Sequence, residues 1–160
     1  MKTTRVLFVC MGNICRSPSA DGVLKKLAAD AGLDGAVEVD SAGTITLHSG
    51  QPADERMQAT AAKRGYRLDG IARGVTERDF YDFDWVVAMD RANLRNLKPL
   101  RLADAPAEIK MFCDFCMEHA DKEVPDPYYG GAAGFEHVMD LIEDGCRGLL
   151  DAVRGKEKGW

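Results

Sequence analysis

A cysteine and an arginine separated by five residues, Cys10 and Arg16, have the types and spacing that nucleophilic chemistry at phosphorus requires. The attacking form of cysteine is the thiolate, which persists only where its surroundings stabilise negative charge. The guanidinium of Arg16 can stabilise that charge, and its planar fork can hold two oxygens of a phosphoryl group. The pair therefore predicts a phosphate-binding loop with a nucleophile at its base.

Two elements are expected to position this pair. The apolar run over residues 6–9 predicts a buried strand that ends at Cys10. Ser17 is a favourable N-cap residue and Pro18 suits the first position of a helix, so a helix is predicted to begin there. The N–H groups at a helix N-terminus, together with the helix dipole, bind anions. Gly12 allows the loop between them to turn with a positive φ or to approach a ligand closely.

The same residues also allow an interpretation without function. A cysteine at the end of a buried strand often serves as a small hydrophobic residue, and this spacing can arise by chance. A filler cysteine does not need a Gly-Asn loop and an arginine at a helix N-terminus, so the context favours a functional site. A catalytic partner elsewhere in the chain is needed to decide between the two.

The composition predicts one domain over residues 1–160. With 46% hydrophobic residues the chain can fill a single core, expected at about residues 5–153 with a tail at 154–160. A net charge of −5 without a basic block argues against nucleic-acid and membrane-surface partners. The first apolar stretch is too short for a signal peptide or a membrane span, and five irregularly spaced cysteines fit a reducing compartment. We therefore predict a cytoplasmic protein.

Strand and helix patterns alternate along the chain. Apolar or alternating runs predict strands at residues 5–9, 37–42, 85–89 and 109–112. Capped amphipathic patterns predict helices at 17–31, at 54–64, after Asp90 and, most strongly, at 135–153. This alternation predicts an α/β fold with a single doubly wound four-stranded parallel sheet, flavodoxin-like strand order and helices on both faces. Such sheets bind ligands beyond the carboxyl ends of their strands, so a partner for Cys10 is expected in a loop at that edge.

The candidate for this partner is Asp126, which lies between Pro125 and Pro127 after the last predicted strand. Expelling a phenolate or alkoxide from phosphorus requires a proton, which a carboxylic acid on a stiff loop can deliver. The flanking prolines restrict φ and stiffen this loop. In isolation, a simple turn in which the aspartate accepts from its own backbone is the alternative. Paired with the cysteine loop, the catalytic interpretation is favoured.

Together, the two loops resemble the low-molecular-weight protein tyrosine phosphatases. The resemblance rests on C-M-G-N-I-C-R-S-P at residues 10–18, D-S-A-G-T at 40–44, the stretch from F-D at 83–84 to M-D at 89–90, and D-P-Y-Y-G at 126–130. It implies the phosphotyrosine phosphatase I-like fold and a two-step mechanism through a phosphocysteine, without a cofactor. In that mechanism Cys10 attacks phosphorus, Arg16 and the amides of residues 11–16 hold the oxygens, and Asp126 protonates the leaving oxygen and then activates water. The implied substrates are phosphotyrosine proteins or small aryl phosphates, and the product is inorganic phosphate.

The resemblance also implies roles for residues around this centre. Those expected at the substrate are Met11, Gly12, Asn13, Ile14, Cys15, Ser17, Leu47, Tyr128 and Tyr129. Among them, Asn13 and Ser17 resemble the supporting hydrogen-bonders of the family, and the two tyrosines resemble its groove aromatics. Cys15 matches a second loop cysteine that can form a reversible disulfide with the nucleophile in relatives. A small buried residue is the alternative for Cys15.

Three further positions bear on specificity and on the support of the loop. Leu47 stands where family members often have an aromatic residue, so the pocket wall is expected to be apolar without a ring. Ile14 resembles the tyrosine-directed members, because the related protein-arginine phosphatases have threonine there. Gly70 stands near the position of a histidine that braces the loop asparagine in some members, so Asn13 is expected to need another partner.

Two other functions remain open. The same fold hosts thioredoxin-coupled arsenate reductases, in which the loop cysteine works with two further cysteines, and Cys113 and Cys116 are the candidates for that role. A non-catalytic phosphate-binding module is the other possibility. Cys113, Cys116 and His119 also suggest a metal, but structural zinc takes about four ligands and no second cysteine pair accompanies them, so no metal site is predicted. His48 and His137 are predicted to be surface or capping residues.

Overall fold

A parallel β-sheet forms the centre of the molecule, whose computed structural model describes residues 2–127 and 131–157. Within these residues the strands are β1 (Thr4–Cys10), β2 (Val37–Gly43), β3 (Trp85–Ala88) and β4 (Glu108–Met111). Their order is β2-β1-β3-β4, and every neighbouring pair is parallel. This confirms the predicted α/β fold and its flavodoxin-like order, with each strand end within one residue of the expected one.

Helices connect and flank the strands. Those in the described residues are α1 (Arg16–Asp30), α2 (Glu55–Lys63), α3 (Asp79–Asp82), α4 (Arg91–Leu97) and α5 (Ala132–Glu157). Two of them begin after predicted caps: the Asp54 carboxylate accepts from N–H groups of α2, and Asp90 forms a capping box with Asn93 in α4. Short 3-10 turns follow α4 at Lys98–Leu100 and β4 at Phe112–Phe115.

The start of α1 differs from the prediction. The helix begins at Arg16, and Cys15 occupies the N-cap position without a side-chain capping hydrogen bond. Ser17 is therefore not the N-cap. Its side chain points into the protein, where its hydroxyl is hydrogen-bonded with Cys10 and Asn13. Because these partners engage the hydroxyl, it does not bond the N-terminus of its own helix.

Helices cover both faces of the sheet. On one face, Val6, Phe8 and Val87 belong to a core that includes residues of α1, α2 and α5. On the other face, Leu7 and Val86 pack with residues of α3 and α4. Side chains of a strand alternate between faces, so two covered faces require the continuous apolar runs of β1 and β3.

The C-terminal helix α5 packs along α1 and against the 3-10 turn that follows β4. Two glycines in α5 permit this approach: a Cβ on Gly145 would overlap the Phe112 ring, and one on Gly148 would overlap the Phe115 carbonyl group. The helix extends to Glu157, beyond the predicted range of 135–153. No helix in the described part of the chain has the length and apolar character needed to cross a bilayer.

Candidate active site

The loop that follows β1 lies at the carboxyl edge of the sheet, beside the segment that follows β2. Its carbonyl groups bond to that segment: the Cys10 oxygen accepts from the Thr44 N–H at 2.9 Å, and the Ile14 oxygen accepts from the Asp54 N–H at 2.8 Å. Within the described residues, the N–H groups of residues 11–15 donate to no backbone carbonyl. A loop with tethered carbonyls and uncommitted N–H groups is suited to hold an anion.

Cys10 is buried at the base of this loop, with 2% of its surface exposed. Its Sγ lies 3.0 Å from the Ser17 Oγ, and the Asn13 Nδ2 donates to that same oxygen at 2.7 Å. Because Asn13 occupies an acceptor position of the hydroxyl, the hydroxyl proton can be donated to Cys10. The other acceptor within reach, the Ala42 oxygen, is farther away at 3.5 Å. Ser17 therefore supplies a hydrogen-bond donor to a thiolate.

Asn13 supports the cysteine loop through hydrogen bonds of its side chain. Its φ of 59° lies in the left-handed region, which asparagine adopts more readily than most residues. Its Nδ2 also donates to the Ser41 Oγ at 2.9 Å, and its Oδ1 accepts from the Arg73 N–H at 3.0 Å. Because position 70 is glycine, Asn13 is predicted to need other partners. Ser41 and Arg73 are those partners.

Arg16 is as buried as Cys10, with 2% of its surface exposed. Its Nη1 donates to the Asp90 carboxylate at 2.6 Å and to the Val124 carbonyl oxygen at 3.0 Å. Its Nη2 lies 3.7 Å from the Asp126 carboxylate. Burial opposes the positive charge, but Cys10 and the two carboxylates outweigh burial and raise the pKa of Arg16. The guanidinium therefore stays protonated.

Sequence reasoning missed the pairing of Asp90 with Arg16. It predicts Asp90 only as the cap of α4, and its Oδ1 does accept from the Asn93 N–H at 2.7 Å. The other oxygen, Oδ2, binds Arg16. A signal for this second role is present in the sequence, because an acidic residue directly after a central parallel strand lies at the ligand-binding edge of the sheet.

The loop that carries Asp126 reaches the same edge of the sheet as the cysteine loop. The Val124 N–H donates to the Met89 oxygen at 2.9 Å, which attaches this loop to the end of β3. The side chain of Asp126 is 34% exposed. A carboxyl group at this boundary can exchange protons with solvent and with a bound molecule.

Cys10, Arg16 and Asp126 line one cavity of about 140 Å³. Among the described residues, the cavity is lined by Cys10, Met11, Gly12, Ile14, Cys15, Arg16, Ile45, Leu47, His48 and Asp126. Sequence reasoning misses Ile45 and His48 as lining residues, and His48 was expected at the surface or at a cap. Leu47 lies at the rim, with 75% of its surface exposed.

Two further expected residues, Asn13 and Ser17, do not line the cavity. Asn13 and Ser17 are buried behind the cavity wall and support it rather than line it. Tyr128 and Tyr129 fall outside the described residues.

Cys15 lines the cavity as a free, buried thiol. Burial, followed by the charge of Asp54, raises the pKa of Cys15, so this thiol is neutral. A neutral thiol is a poor nucleophile, which distinguishes Cys15 from a reactive cysteine. In the described ranges, no three His, Cys, Asp or Glu side chains are grouped so as to hold a metal ion.

Comparison with known sequences extends over almost the whole chain. The model of the family named low molecular weight phosphotyrosine protein phosphatase matches residues 5–158. A relative from Synechocystis sp., named after the same family, is 49% identical over 158 residues, which are 96% of this chain and 98% of the relative.

Comparison with solved structures also finds matches to phosphatases over almost the whole chain. A protein tyrosine phosphatase from Entamoeba histolytica, with Hepes in its active site, has a TM-score of 0.93 at 42% identity, covering 97% of this chain and 99% of that one. A Drosophila arginine phosphatase has a TM-score of 0.86 at 33% identity, covering 95% and 97%. With the fold, the cysteine loop and these matches in agreement, this chain belongs to the low-molecular-weight protein-tyrosine phosphatase family.

Proposed function

We propose that this phosphatase hydrolyses phosphotyrosine and other aryl phosphate monoesters through a phosphocysteine on Cys10. The proposal is carried by one observation, that Cys10, Arg16 and Asp126 line a single cavity. A nucleophile, a cationic donor and an acid that converge on one space are the parts that phosphoryl transfer to a side chain needs.

In the first step, the Cys10 thiolate attacks phosphorus while the phosphoryl oxygens are held by Arg16 and the loop N–H groups. The donor at Ser17, 3.0 Å from Sγ, stabilises the thiolate before attack. Arg16 keeps its charge and its orientation because Asp90 binds its Nη1. Asp126, at the cavity wall, gives its proton to the leaving oxygen as the ester bond breaks.

In the second step, a water molecule attacks the phosphorus of the phosphocysteine. Asp126, now a carboxylate, takes the proton from this water, and the Cys10 thiolate leaves. The products are inorganic phosphate and the starting enzyme. The two steps use water and residues of this cavity, supported by Ser17 and Asp90.

The cavity wall supports an aryl leaving group. Ile14, Ile45 and Leu47 add aliphatic surface next to the reactive residues, which the face of a phenyl ring can contact. The likeness to the Drosophila arginine phosphatase makes phosphoarginine the second candidate substrate. A guanidino group is polar, so an isoleucine at position 14 supports the aryl ester over phosphoarginine.

The same proposal assigns the enzyme to the cytoplasm, with phosphotyrosine proteins as its partners. The five cysteines of the chain are all free, which fits a reducing compartment. The net charge of −5 does not favour nucleic-acid or membrane-surface partners.

The test is hydrolysis of phosphotyrosine, phosphoserine and phosphoarginine in the presence of a chelator, by the wild type, Cys10→Ser and Ile14→Thr. Phosphotyrosine should be cleaved fastest by the wild type, with a burst of product as the phosphocysteine forms. Cys10→Ser should bind inorganic phosphate without turnover, because Arg16 and the loop amides remain. Ile14→Thr should shift the preference towards phosphoarginine.

Contrary results would separate the alternatives. Turnover by Cys10→Ser at the wild-type rate would remove Cys10 from the mechanism. A wild-type preference for phosphoarginine would replace the aryl substrate with the second candidate. Thioredoxin-dependent reduction of arsenate that Cys113→Ser abolishes would favour a reductase.

A further inference from the structure

The turn after β4 carries a pair of cysteines that the proposed hydrolysis does not use. Cys113 lies in the 3-10 turn Phe112–Phe115, and Cys116 follows at its C-cap. The Cys116 N–H donates to the Cys113 carbonyl oxygen at 3.1 Å, which closes the turn. Both side chains are free thiols; Cys113 is 8% exposed, and Cys116 is partly exposed.

The geometry of this turn suits a disulfide. In a 3-10 turn, side chains three residues apart lie above one another, and their Cα atoms are about 6 Å apart. Disulfides join Cα atoms that are roughly 4.4–6.8 Å apart. A hydrogen bond between the two thiols shifts the pKa of both, so the two thiol groups are close together. A bond between them therefore needs little movement of the backbone.

From this arrangement we propose that Cys113 and Cys116 form a second dithiol site, which hydrogen peroxide converts into a disulfide. The Cys113 thiolate attacks one peroxide oxygen and breaks the O–O bond, giving a sulfenic acid and hydroxide. The Cys116 sulfur then attacks the sulfenic sulfur, forming the S–S bond and expelling hydroxide. The two thiol protons convert the hydroxides into water. Two thiols are oxidised, and one peroxide is reduced to two waters.

Cys113 is the attacking sulfur and Cys116 the resolving one. The hydrogen bond from Cys116 lowers the pKa of Cys113, and this outweighs burial and the charges of Asp114 and Asp121. The same hydrogen bond, together with burial, raises the pKa of Cys116. A thiol of lowered pKa beside a thiol of raised pKa is the usual arrangement of a peroxide-sensitive pair.

This site is distinct from the Cys10 cavity but precedes the Asp126 loop along the chain. The Cys116 Sγ also lies 3.7 Å from the Leu141 oxygen of α5. The next residues, 117–119, donate their N–H groups to Asp144 of α5. The disulfide would replace the Cys116 contact with α5 and link the two ends of the turn.

The test maps the cysteines of the Cys10→Ser, Cys15→Ser double variant, in which neither loop cysteine can react. Peroxide is applied at the dose that removes half of the wild-type activity, which shows that the oxidant is effective. Alkylation followed by peptide mass spectrometry should find the Cys113–Cys116 peptide lighter by two hydrogen atoms, and alkylated only after a thiol reductant. Cys146, which is fully buried, should stay a thiol as the internal control. Full alkylation of both cysteines at that dose would overturn the proposal.

Matched serine variants distinguish a dithiol from two independent thiols. In Cys116→Ser, Cys113 lacks a resolving partner and should accumulate as sulfinic acid. In Cys113→Ser, Cys116 should remain reduced. Equal oxidation of the remaining cysteine in both variants, or a cross-link to Cys146, would contradict the proposal. If a serine variant does not fold, as judged by circular dichroism, mapping of the double variant still decides the question.

Discussion

The ion pair between the buried Arg16 and the partly exposed Asp90 determines how the reactive loop holds its positive charge. The side chain of Arg16 is 3% exposed, and its Nη1 lies 2.6 Å from the Asp90 carboxylate. Removing the partner of a buried charge is costly, because less compensation is left for that charge. Asp90 therefore controls both the charge and the orientation of the group that would hold phosphoryl oxygens.

Replacing Asp90 with asparagine tests this control. Asparagine is as good an N-cap as aspartate, so α4 should persist in Asp90→Asn while the ionic contact with Arg16 is lost. We expect kcat/KM for phosphotyrosine to fall about 10²-fold, the usual cost of a misplaced positioning group. Asp30→Asn, which removes an exposed pair with Lys26, should leave the kinetics unchanged. An unchanged kcat/KM in Asp90→Asn would contradict the positioning role.

The leaving group tests the proposed acid. Asp126→Ala should slow the hydrolysis of phosphotyrosine by about 10²–10⁴-fold, the usual contribution of general acid catalysis. An aryl phosphate whose phenol is strongly acidic needs little proton donation, so its hydrolysis should fall much less. Because Asp126 must carry a proton at the first step, wild-type activity should be highest on the acid side of neutrality. Equal losses on both substrates, or a rate still rising in alkaline buffer, would remove Asp126 from this role.

At the scale of elements, the packing of α5 depends on two glycines, which have no side chain. Glycine inside a helix costs about 0.5–1 kcal/mol relative to alanine, so a glycine there needs a reason. Gly145 and Gly148 have one, since the turn Phe112–Phe115 lies where their Cβ atoms would be. That turn begins the segment that leads to Asp126.

Two glycine-to-alanine changes in α5 should therefore have opposite effects on the free energy of unfolding. Gly148→Ala would place a methyl group onto the Phe115 carbonyl, and we expect the free energy of unfolding to fall by about 1–3 kcal/mol. Gly134 has no heavy atom within 4 Å of an added Cβ, so Gly134→Ala should raise it by about 0.5 kcal/mol. Urea unfolding measures both. A rise in stability for both variants would show that α5 does not pack closely on the turn.

At the scale of the whole molecule, Asp144 ties α5 to the segment before the Asp126 loop. Its fully buried carboxylate accepts from the N–H groups of residues 117–119 and contacts the His119 ring at 2.9 Å. Burial alone would raise the pKa of Asp144, but these hydrogen bonds lower it to about 2. The folded protein therefore favours the charged carboxylate.

This carboxylate gives stability a defined pH dependence. Since the folded pKa of Asp144 is about 2 and the ordinary value is 3.8, its contribution is complete above about pH 4 and is lost as the pH falls towards 2. The difference corresponds to about 2 kcal/mol. Asp144→Asn should lower the free energy of unfolding by about that amount at pH 7, and by less as the pH falls from about 4 to 2.

Urea unfolding at several pH values measures this effect. Asp151→Asn, at an exposed position on the same helix, is the control and should change stability little at any pH. A destabilisation by Asp144→Asn that did not depend on pH would show that the charge of Asp144 is not the cause.

The sequence by itself determined the features that depend on neighbours along the chain. Apolar runs located β1 and β3, and the caps Asp54 and Asp90 located the starts of α2 and α4, because periodicity and capping are local effects. The alternation of strands and helices predicted the parallel sheet. Because such sheets bind ligands beyond the carboxyl ends of their strands, the sequence also predicted that Asp126 lies near Cys10, and both residues line one cavity.

Only the tertiary structure decided which side chains meet. Arg16 and Asp90 are 74 residues apart, and Asn13 is 60 residues from Arg73. The order β2-β1-β3-β4 brings the ends of these strands side by side, and register then selects the partners. Ser17 shows the consequence: a residue suited to cap its own helix instead joins Asn13 and Cys10, because packing turns its hydroxyl inward. Local patterns do not specify such contacts, since each depends on where distant strands end.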